Sequence, residues 1–511
     1  MKRKNKLRNN ISLFLLILAI LLLIITRWFR EIFANVSIDE IIFQFKVPMQ
    51  GTSTDFVDDI FNYVKEFIPL LILIFSCAYI YQTDLFKHNY QYLINLKLKK
   101  KEKQIKINIK DDTKIMFIIN IILFIALVTN ALLILNVDDY IMNNLKSSKI
   151  FEEHYIDPKT IELKFPEEKR NLIYIYLESM ESNYYNLDNY KIEVNNLIPN
   201  LEKVANENIH FSNNDYLGGA HQINGTQWTI ASLVAQTSGV PLKLAINGNL
   251  LSEYSEFLPG LYSLGDILND NGYKQYFMIG SDSVFGGRKN YFEQHGNYEI
   301  YDYYSAIEEG KIPDDYFVWW GYEDHKLIEY AKEKLLKISK NDEPFNLTIL
   351  TADTHFLEGY TDETCEMISE NKYANAVYCA DKLIGDFINW IKQQDFYENT
   401  TIIISGDHLV MSDLITSSYE KENRHIYNAI INSSISTENT KNKNFTTMDM
   451  FPTTLASIGV TIPGDRLGLG TNLFSDKQTL IEELGNETFN EEIDKKSTYY
   501  NKNFLYNKKK A

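Results

Sequence analysis

Hydrophobic positions fall into two regimes along this chain. In the first 137 residues they gather into three apolar stretches, and from Asn171 onward they break into short runs separated by amphipathic segments. Ile11 to Phe29 is almost purely Ile, Leu and Phe, long enough to cross ~30 Å of hydrocarbon. No small-residue cleavage site follows Trp28, so this stretch reads as a retained anchor rather than a signal peptide. Phe67 to Gln82 is shorter and needs flanking aromatics such as Tyr79 and Tyr81 at the interface. Lys114 to Val137 is the third span, with Asn120 and Asn130 expected to face neighbouring helices. Ile38 to Phe45 and Asp55 to Phe67 suit either the outer leaflet or an ordinary loop.

The second regime predicts an α/β domain with a mostly parallel central sheet. Leu172 to Leu177, Tyr273 to Ile279, Asn346 to Leu350 and Thr401 to Ile404 read as buried strands. Glu323 to Ser339 and Val377 to Gln393 carry apolar residues at helical spacing. The expected organisation is an anchor with three transmembrane helices over 1–137, a linker over 138–170, the catalytic domain over 171–475 and a polar tail over 476–511.

Each predicted strand runs into a polar cluster: Glu178-Ser-Met-Glu181, then Ser281-Asp282 with Arg288 close behind, then Asp353-Thr-His355, then Ser405-Gly-Asp407-His408. Ligands of open parallel sheets bind beyond the carboxyl ends of the strands, so four such clusters are expected to converge on one site. Glu178, Asp407 and His408 form a mixed oxygen and nitrogen set that suits Mn²⁺ or Zn²⁺ better than Ca²⁺. The Asp-His pair alone is equally compatible with a hydrogen-bonded turn. Thr229 stands where a helix should begin, before the run Ile230 to Ala235. A hydroxyl there faces free backbone N–H groups and the positive end of the helix dipole, which attract phosphate. A metal at that oxygen would make it a nucleophile, although a plain threonine cap is common. Thr226 follows Gly225 in what reads as a flexible loop.

Charge adds direction. Lys2, Arg3, Lys4, Lys6 and Arg8 precede the first span, and Lys97, Lys99, Lys100, Lys101, Lys103 and Lys106 lie between the second and third. Asp39, Glu40, Asp55, Asp58 and Asp59 lie between the first two. The positive-inside rule then gives in–out–in–out, a multi-pass protein of the cytoplasmic membrane with everything after about residue 138 outside. A net charge of −17 argues against nucleic acid as a partner. Of the three cysteines, Cys77 sits in an apolar run, whereas Cys365 and Cys379 lie 14 apart and are open to either a short loop closure or two free thiols.

Together these motifs resemble the alkaline-phosphatase and sulfatase superfamily, in the branch of lipoteichoic-acid synthases and phosphoglycerol transferases. The segment Leu197-Ile-Pro-Asn-Leu-Glu-Lys-Val-Ala-Asn-Glu-Asn-Ile-His-Phe is similar to an early segment of sulfatase-like enzymes, and Met448-Asp-Met-Phe-Pro-Thr-Thr-Leu-Ala-Ser-Ile-Gly to their late helix. Asn171-Leu-Ile-Tyr-Ile-Tyr-Leu-Glu-Ser-Met-Glu, Gly225-Thr-Gln-Trp-Thr-Ile-Ala, Leu264-Gly-Asp-Ile-Leu, Ser405-Gly-Asp-His-Leu, Thr364-Cys365 and Cys379 resemble the membrane phosphoglycerol transferases that act on osmoregulated periplasmic glucans. The resemblance implies a sulfatase-like α/β/α domain behind transmembrane helices. It implies metal ligands at Glu178, Thr229, Asp407 and His408, with Thr229 also the nucleophile. His355 would be the second catalytic residue, Arg288 and Trp320 would contact substrate, and Cys365 and Cys379 would form a disulfide. The implied ion is Mn²⁺ first, with Zn²⁺ or Mg²⁺ as alternatives.

The implied reaction moves phosphoglycerol from phosphatidylglycerol in the membrane to an extracytoplasmic glycan or glycolipid through a phospho-threonine intermediate. A phosphoethanolamine transferase would use the same residues with another donor, and a catalytically silent, membrane-tethered glycan- or lipid-binding protein could share the fold. Lipoteichoic-acid synthases carry a tryptophan two residues before the arginine. Here that position is Gly286, with Phe285 beside it, which points away from a polymerase. Sulfatases need Cys or Ser, followed by Pro and Arg, where this chain has Thr229-Ile-Ala-Ser-Leu.

The charge pattern makes a direct prediction. A phosphatase reporter, active only outside the cytoplasm, should be active when fused after residue 480, and a reporter active only in the cytoplasm should be silent there.

Overall fold

The computed structural model describes residues 2–33, 55–82, 90–98, 101–109, 113–187, 192–243, 256–411 and 424–505, plus a few isolated positions. It divides into two compact units, residues 1–33 with 54–139, and residues 34–53 with 140–511.

Among the described residues the first unit contains the helices α1 (Lys2–Ile32), α2 (Asp55–Gln82) and α3 (Thr113–Ile134). Two stretches are long and apolar enough to cross a membrane, Asn10–Ile32 and Phe117–Ile134. These helices pack together, and the polar group buried between them is satisfied: Asn120 Nδ2 donates to Ser12 Oγ at 3.1 Å. Asn130 differs from expectation. It is exposed, one helical face away from that contact. α2 contains Pro69, and the side chains of Tyr79 and Tyr81 lie outside the described residues, as does most of Ile38 to Phe45. The lysine-rich segment after α2 is an antiparallel hairpin, β1 (Tyr90–Leu98) and β2 (Lys101–Ile109), which periodicity did not reveal.

The second unit is built on a six-stranded sheet of β3 (Asn171–Leu177), β4 (Lys274–Ile279), β5 (Glu299–Tyr301), β6 (Phe345–Leu350), β7 (Thr400–Gly406) and β8 (Asn428–Ile431). The order is β5-β4-β6-β3-β7-β8, parallel throughout except for β8. Central strands rich in Ile, Leu and Tyr are buried on both faces, as parallel sheets require. Tyr174 and Tyr176, two residues apart on one face of β3, stack at 4.2 Å, and the Tyr174 hydroxyl donates to Gln236 in the helix Thr229–Ser238. Register fixes the functional edge: Leu177 pairs with Gly406, Tyr176 with Leu350, and Leu350 with Ile279. All four predicted strands are present, and their polar sequels leave the sheet at one level.

The boundaries differ from the predicted ones at both ends. Residues 138–170 are not a free linker: Ile156 and Lys164 bridge to Gly468 and Thr461. Nor is 476–505 a tail. Helices Leu480–Leu484 and Asn486–Asp494 dock on the domain, and Lys243 Nζ donates to the carbonyls of Ile493 and Lys495. Asn224, just before the nucleophile candidate, donates its amide to Asp494 at 2.7 Å and its backbone N–H to Asn490 at 2.9 Å. Composition hid this docking because the apolar anchors are few and far apart: Phe489, Ile493, Tyr500 and Phe504 are buried among polar neighbours.

Tyr500 tests that reading. Its ring packs on Phe151 and Phe504, and its hydroxyl donates to the Pro241 carbonyl while accepting from Lys243 N–H. Tyr500→Ala should destabilise the domain by about 3–5 kcal/mol, as large-to-small changes of buried aromatics do. Tyr500→Phe should cost about 1 kcal/mol for the lost hydrogen bonds. Denaturant unfolding measures both, and a loose tail would show neither.

Candidate active site

β3 ends at Leu177, and the next residue, Glu178, receives the site's first carboxylate. Ser179 then turns with φ +51, a left-handed conformation that aims its N–H at Asp407 Oδ1 at 2.7 Å. His408 N–H donates to the same oxygen at 2.7 Å. One oxygen of Asp407 is therefore saturated. The other, Oδ2, is buried with no hydrogen-bond partner among the described residues. His408 directs Nδ1 at the Leu409 carbonyl, 2.9 Å away, which turns Nε2 toward the carboxylates. Nε2 lies 3.5 Å from Glu178 Oε1 and 3.4 Å from Asp407 Oδ2. Glu178, Asp407 and His408 are all buried, and their ligand atoms lie within 4.8 Å of one another.

Thr229 is the first residue of the helix Thr229–Ser238, as its sequence position implied. Its Oγ1 stands 3.3 Å from Glu178 Oε2 and 3.5 Å from His408 Nε2. The helix is locked beside the site because Ser232 Oγ donates to the Asp407 carbonyl and Gln236 Nε2 to the Gly406 carbonyl. Thr226 behaves otherwise. It is fully buried, and its hydroxyl both donates to the Ile223 carbonyl and accepts from the Ile223 N–H, so it belongs to a fixed turn rather than a flexible loop.

A second set of groups surrounds this cluster. Arg288 begins a short helix and is 7 % exposed; its guanidinium donates to Ser281 Oγ at 3.3 Å and the Asp282 carbonyl at 3.0 Å. It lies 5.2 Å from the centre of the Phe285 ring. Burial pushes its pKa down to about 10, against the pull of Glu178 and Asp282, so it stays cationic at neutral pH. Its Nε and the Trp320 Nε1 are buried without partners among the described residues. Trp320 lies 4.6 Å from the His355 ring and 5.6 Å from Phe285, making one aromatic wall. His355 directs Nδ1 at the Phe356 carbonyl at 2.7 Å. Burial lowers its pKa, opposed by Glu178, which favours a neutral imidazole with Nε2 bare.

Sequence reasoning passed over the supports. Thr351 accepts the Glu178 N–H, Thr354 donates to the Glu178 carbonyl at 2.6 Å, and the Ser179 hydroxyl donates to Glu178 Oε1. Hydroxyl residues beside a polar cluster were the only available hint. Glu181, quoted within the first cluster, is not near the metal set's open side: it is paired with Arg424 and accepts from Val410 N–H, bracing the segment after His408. Cys365 and Cys379 stand outside the cluster, joined as a disulfide with Cα atoms 5.3 Å apart, which ties the loop after β6 to the helix Lys372–Ile391.

A divalent ion fits these residues. Two carboxylates and an imidazole converge, one carboxylate oxygen is orphaned, and the local charge is negative. Burial, and then the charge on Glu178, push Asp407 up to about 8. His408 and His355 offset burial at Glu178 and hold its carboxyl below the usual value. The sign follows from linkage. A raised carboxyl favours the ion-free fold most at acid pH, and that contribution is lost as pH rises through about 8. An ion binds the ionised form and must displace the proton. Affinity for Mn²⁺ should therefore fall about tenfold for each pH unit below about 8. Calorimetric titration at pH 8, 7 and 6 checks this; an affinity independent of pH would remove Asp407 from the ligand set.

Comparison with known proteins agrees with this architecture. Residues 170–460, more than half of the chain, match the family described as Sulfatase. Over 343 residues the chain is 32% identical to phosphoglycerol transferase I of Salmonella choleraesuis, covering 65% of this chain and 42% of that protein. It is 33% identical over 336 residues to phosphoglycerol transferase I of Escherichia fergusonii, covering 64% and 41%. The chain thus spans less than half the length of these curated relatives. Among solved structures, the lipoteichoic acid synthase LtaP of Listeria monocytogenes matches with a TM-score of 0.47 and 19% identity, over 62% of this chain and 79% of that one. The chain belongs to the sulfatase family, with a mostly parallel α/β sheet in residues 140–511 and two helices in the first unit long and apolar enough to cross a membrane.

Proposed function

We propose that this protein is a phosphoglycerol transferase that moves the glycerol-phosphate group of phosphatidylglycerol to a hydroxyl of an extracytoplasmic glycan or glycolipid. The observation that carries the reading is the Thr229 hydroxyl at a helix N-terminus, 3.3 Å from Glu178 and 3.5 Å from His408, in a chain 32% identical to phosphoglycerol transferase I. Glu178, Thr229, Asp407 and His408 would hold the ion, Mn²⁺ ahead of Zn²⁺ or Mg²⁺ for this donor set. When bound, the ion supplies Lewis-acid polarisation of the threonine hydroxyl and a phosphoryl oxygen.

The chain's own residues do the remainder. Thr229 Oγ1 forms a bond to phosphorus while the bond from phosphorus to the diacylglycerol oxygen breaks. The threonine proton is taken up by the bare Nε2 of His355 and passed from it to the diacylglycerol oxygen, so that His355 ends the step neutral. The acceptor hydroxyl then attacks the phosphoglycerol-threonine. Its proton goes to the bare Nε2 of His355 and returns to Thr229 as the phosphorus–Oγ1 bond breaks. Arg288 and the N–H groups at the start of the helix offset charge on the phosphoryl oxygens. The aromatic wall of Phe285 and Trp320 flanks the headgroup. Apolar helices and the lysine pattern support a multi-pass protein of the cytoplasmic membrane with this site outside, beside its lipid donor.

Mass spectrometry of protein incubated with phosphatidylglycerol and Mn²⁺ should find a glycerol-phosphate adduct on Thr229. Thr229→Ala should abolish the adduct and nearly all turnover while retaining Mn²⁺ binding through the other three ligands. Thr226→Ala should keep the adduct and lose activity on the order of tens-fold or less, through its turn. An adduct that survives Thr229→Ala, or that carries ethanolamine phosphate when both lipids are offered, sinks the proposal.

A further inference from the structure

Two acidic side chains near the site, the buried Asp324 and the half-buried Asp353, have no part in the reaction above. Asp324 opens the helix Asp324–Ile338 three residues after Gly321, and is 1 % exposed. Its Oδ1 accepts the Ala352 N–H at 2.9 Å, and its Oδ2 accepts from Ala352 at 3.1 Å and Asp353 at 2.9 Å. Asp353 Oδ2 returns the bond, accepting the Asp324 N–H at 2.9 Å. The helix and the loop after β6 are thereby bolted together from both sides.

What the bolt holds is informative. Ala352 gives its N–H to Asp324, while its carbonyl accepts the His355 N–H at 3.0 Å and the Trp319 indole N–H at 3.2 Å. The next residues along are Thr354, bonded to the Glu178 carbonyl, and His355, whose ring meets Trp320. One residue, Ala352, thus links Asp324 to the backbone of His355 and to the Trp319 indole. We infer that Asp324 is a positioning residue that fixes His355 for proton transfer; this rests on the proposed role of His355. Asp324 stands at the first position of its helix, yet its carboxylate turns to N–H groups of the loop after β6 rather than to the helix's own, at the cost of burying a charged group. A second carboxylate at Asp353 makes the arrangement costlier still: burial pushes Asp324 up to about 7, and burial together with Asp324's charge raises Asp353 well above the usual carboxylate range. Strongly perturbed carboxyls with no structural necessity concentrate at functional sites.

The test uses the full-length protein loaded with Mn²⁺ and follows diacylglycerol release from phosphatidylglycerol in detergent micelles. Asp324→Asn should lower kcat on the order of 10- to 100-fold, as loss of an orienting partner does, with KM for the lipid and affinity for Mn²⁺ within about twofold. In combination with His355→Ala it should add nothing beyond His355→Ala alone, because both changes remove one acting unit. Losses that multiply, or a kcat for Asp324→Asn within about twofold of the unchanged protein, overturn this inference alone. A His355→Ala protein with unchanged kcat overturns the proposed role of His355, and this inference with it. Should Asp324→Asn fail to fold, as judged by thermal unfolding, Asp353→Ala takes its place: it removes the return bond and leaves the Ala352 bonds, with a smaller loss in kcat and the same non-additivity expected.

Discussion

Two like charges sharing a buried space constrain everything around them. Glu178 and Asp407 leave adjacent strands at one level because Leu177 pairs with Gly406, and neither carboxylate can move away without breaking the β3–β7 ladder. In a low-dielectric interior such a pair repels strongly unless a proton or a cation intervenes. The local backbone removes the first escape, hydrogen bonding. Two N–H groups saturate one oxygen of Asp407, and among the described residues none bonds to the other. Ser179 pays for this with a left-handed backbone, an energy the surrounding sheet must supply. The orphaned oxygen, the inward Nε2 of His408 and the half-buried Thr229 hydroxyl thus stand together as the donors that the proposed ion would use.

The parts of this arrangement legible in the sequence are those carried by continuous local signals. β3, β4, β6 and β7 announce themselves as apolar runs because a parallel strand covered on both faces has no polar alternation to blur it. The Asp-His and Glu positions follow directly, since the rule about carboxyl ends turns strand ends into coordinates, and Thr229 follows from its place at a helix start. β5 and β8 were invisible for the opposite reason: Glu299–Tyr301 is a three-residue edge, and β8 is a four-residue edge strand at the other side of the sheet. The hairpin of β1 and β2 was masked by its lysines, which spoke about membrane sidedness instead. The docked segment 480–505 was illegible because its anchors are spaced by irregular helices, so no single period accumulates. Asn120 and Asn130 show the limit within one helix: the residue type is equally plausible at both, and only packing decides which one meets Ser12.

Asp324 shows a different kind of silence. As an acidic residue in the first turn of a helix it is an ordinary dipole partner, and nothing local marks it. Its significance lies in the distance it spans in sequence, nearly thirty residues to Ala352, and in its burial, neither of which a residue pattern encodes. Supports of reactive groups are generally of this kind. They are common residue types whose role is defined by what they touch.

The Arg288 loop shows how a departure from a family pattern can be built into the backbone. Gly286 replaces the tryptophan of the lipoteichoic-acid synthases, and the obvious reading is that this site lacks room for a large ring. The structure argues otherwise. A Cβ at residue 286 would meet nothing closer than Ile230 Cγ2 at 4.0 Å. What excludes a side chain is conformation, because Gly286 and Gly287 lie at φ +67 and +76, where any other residue is strained by roughly 1–2 kcal/mol. A Cβ at residue 287 would also lie 2.9 Å from the Phe257 ring. The paired left-handed residues swing Phe285 beneath the Arg288 guanidinium and against Trp320, so the aromatic surface is supplied by neighbours on either side of the missing position. Arg288 and the rings of Phe285 and Trp320 thus stand together on one side of the loop, while the position beside the Gly286 Cα stays open.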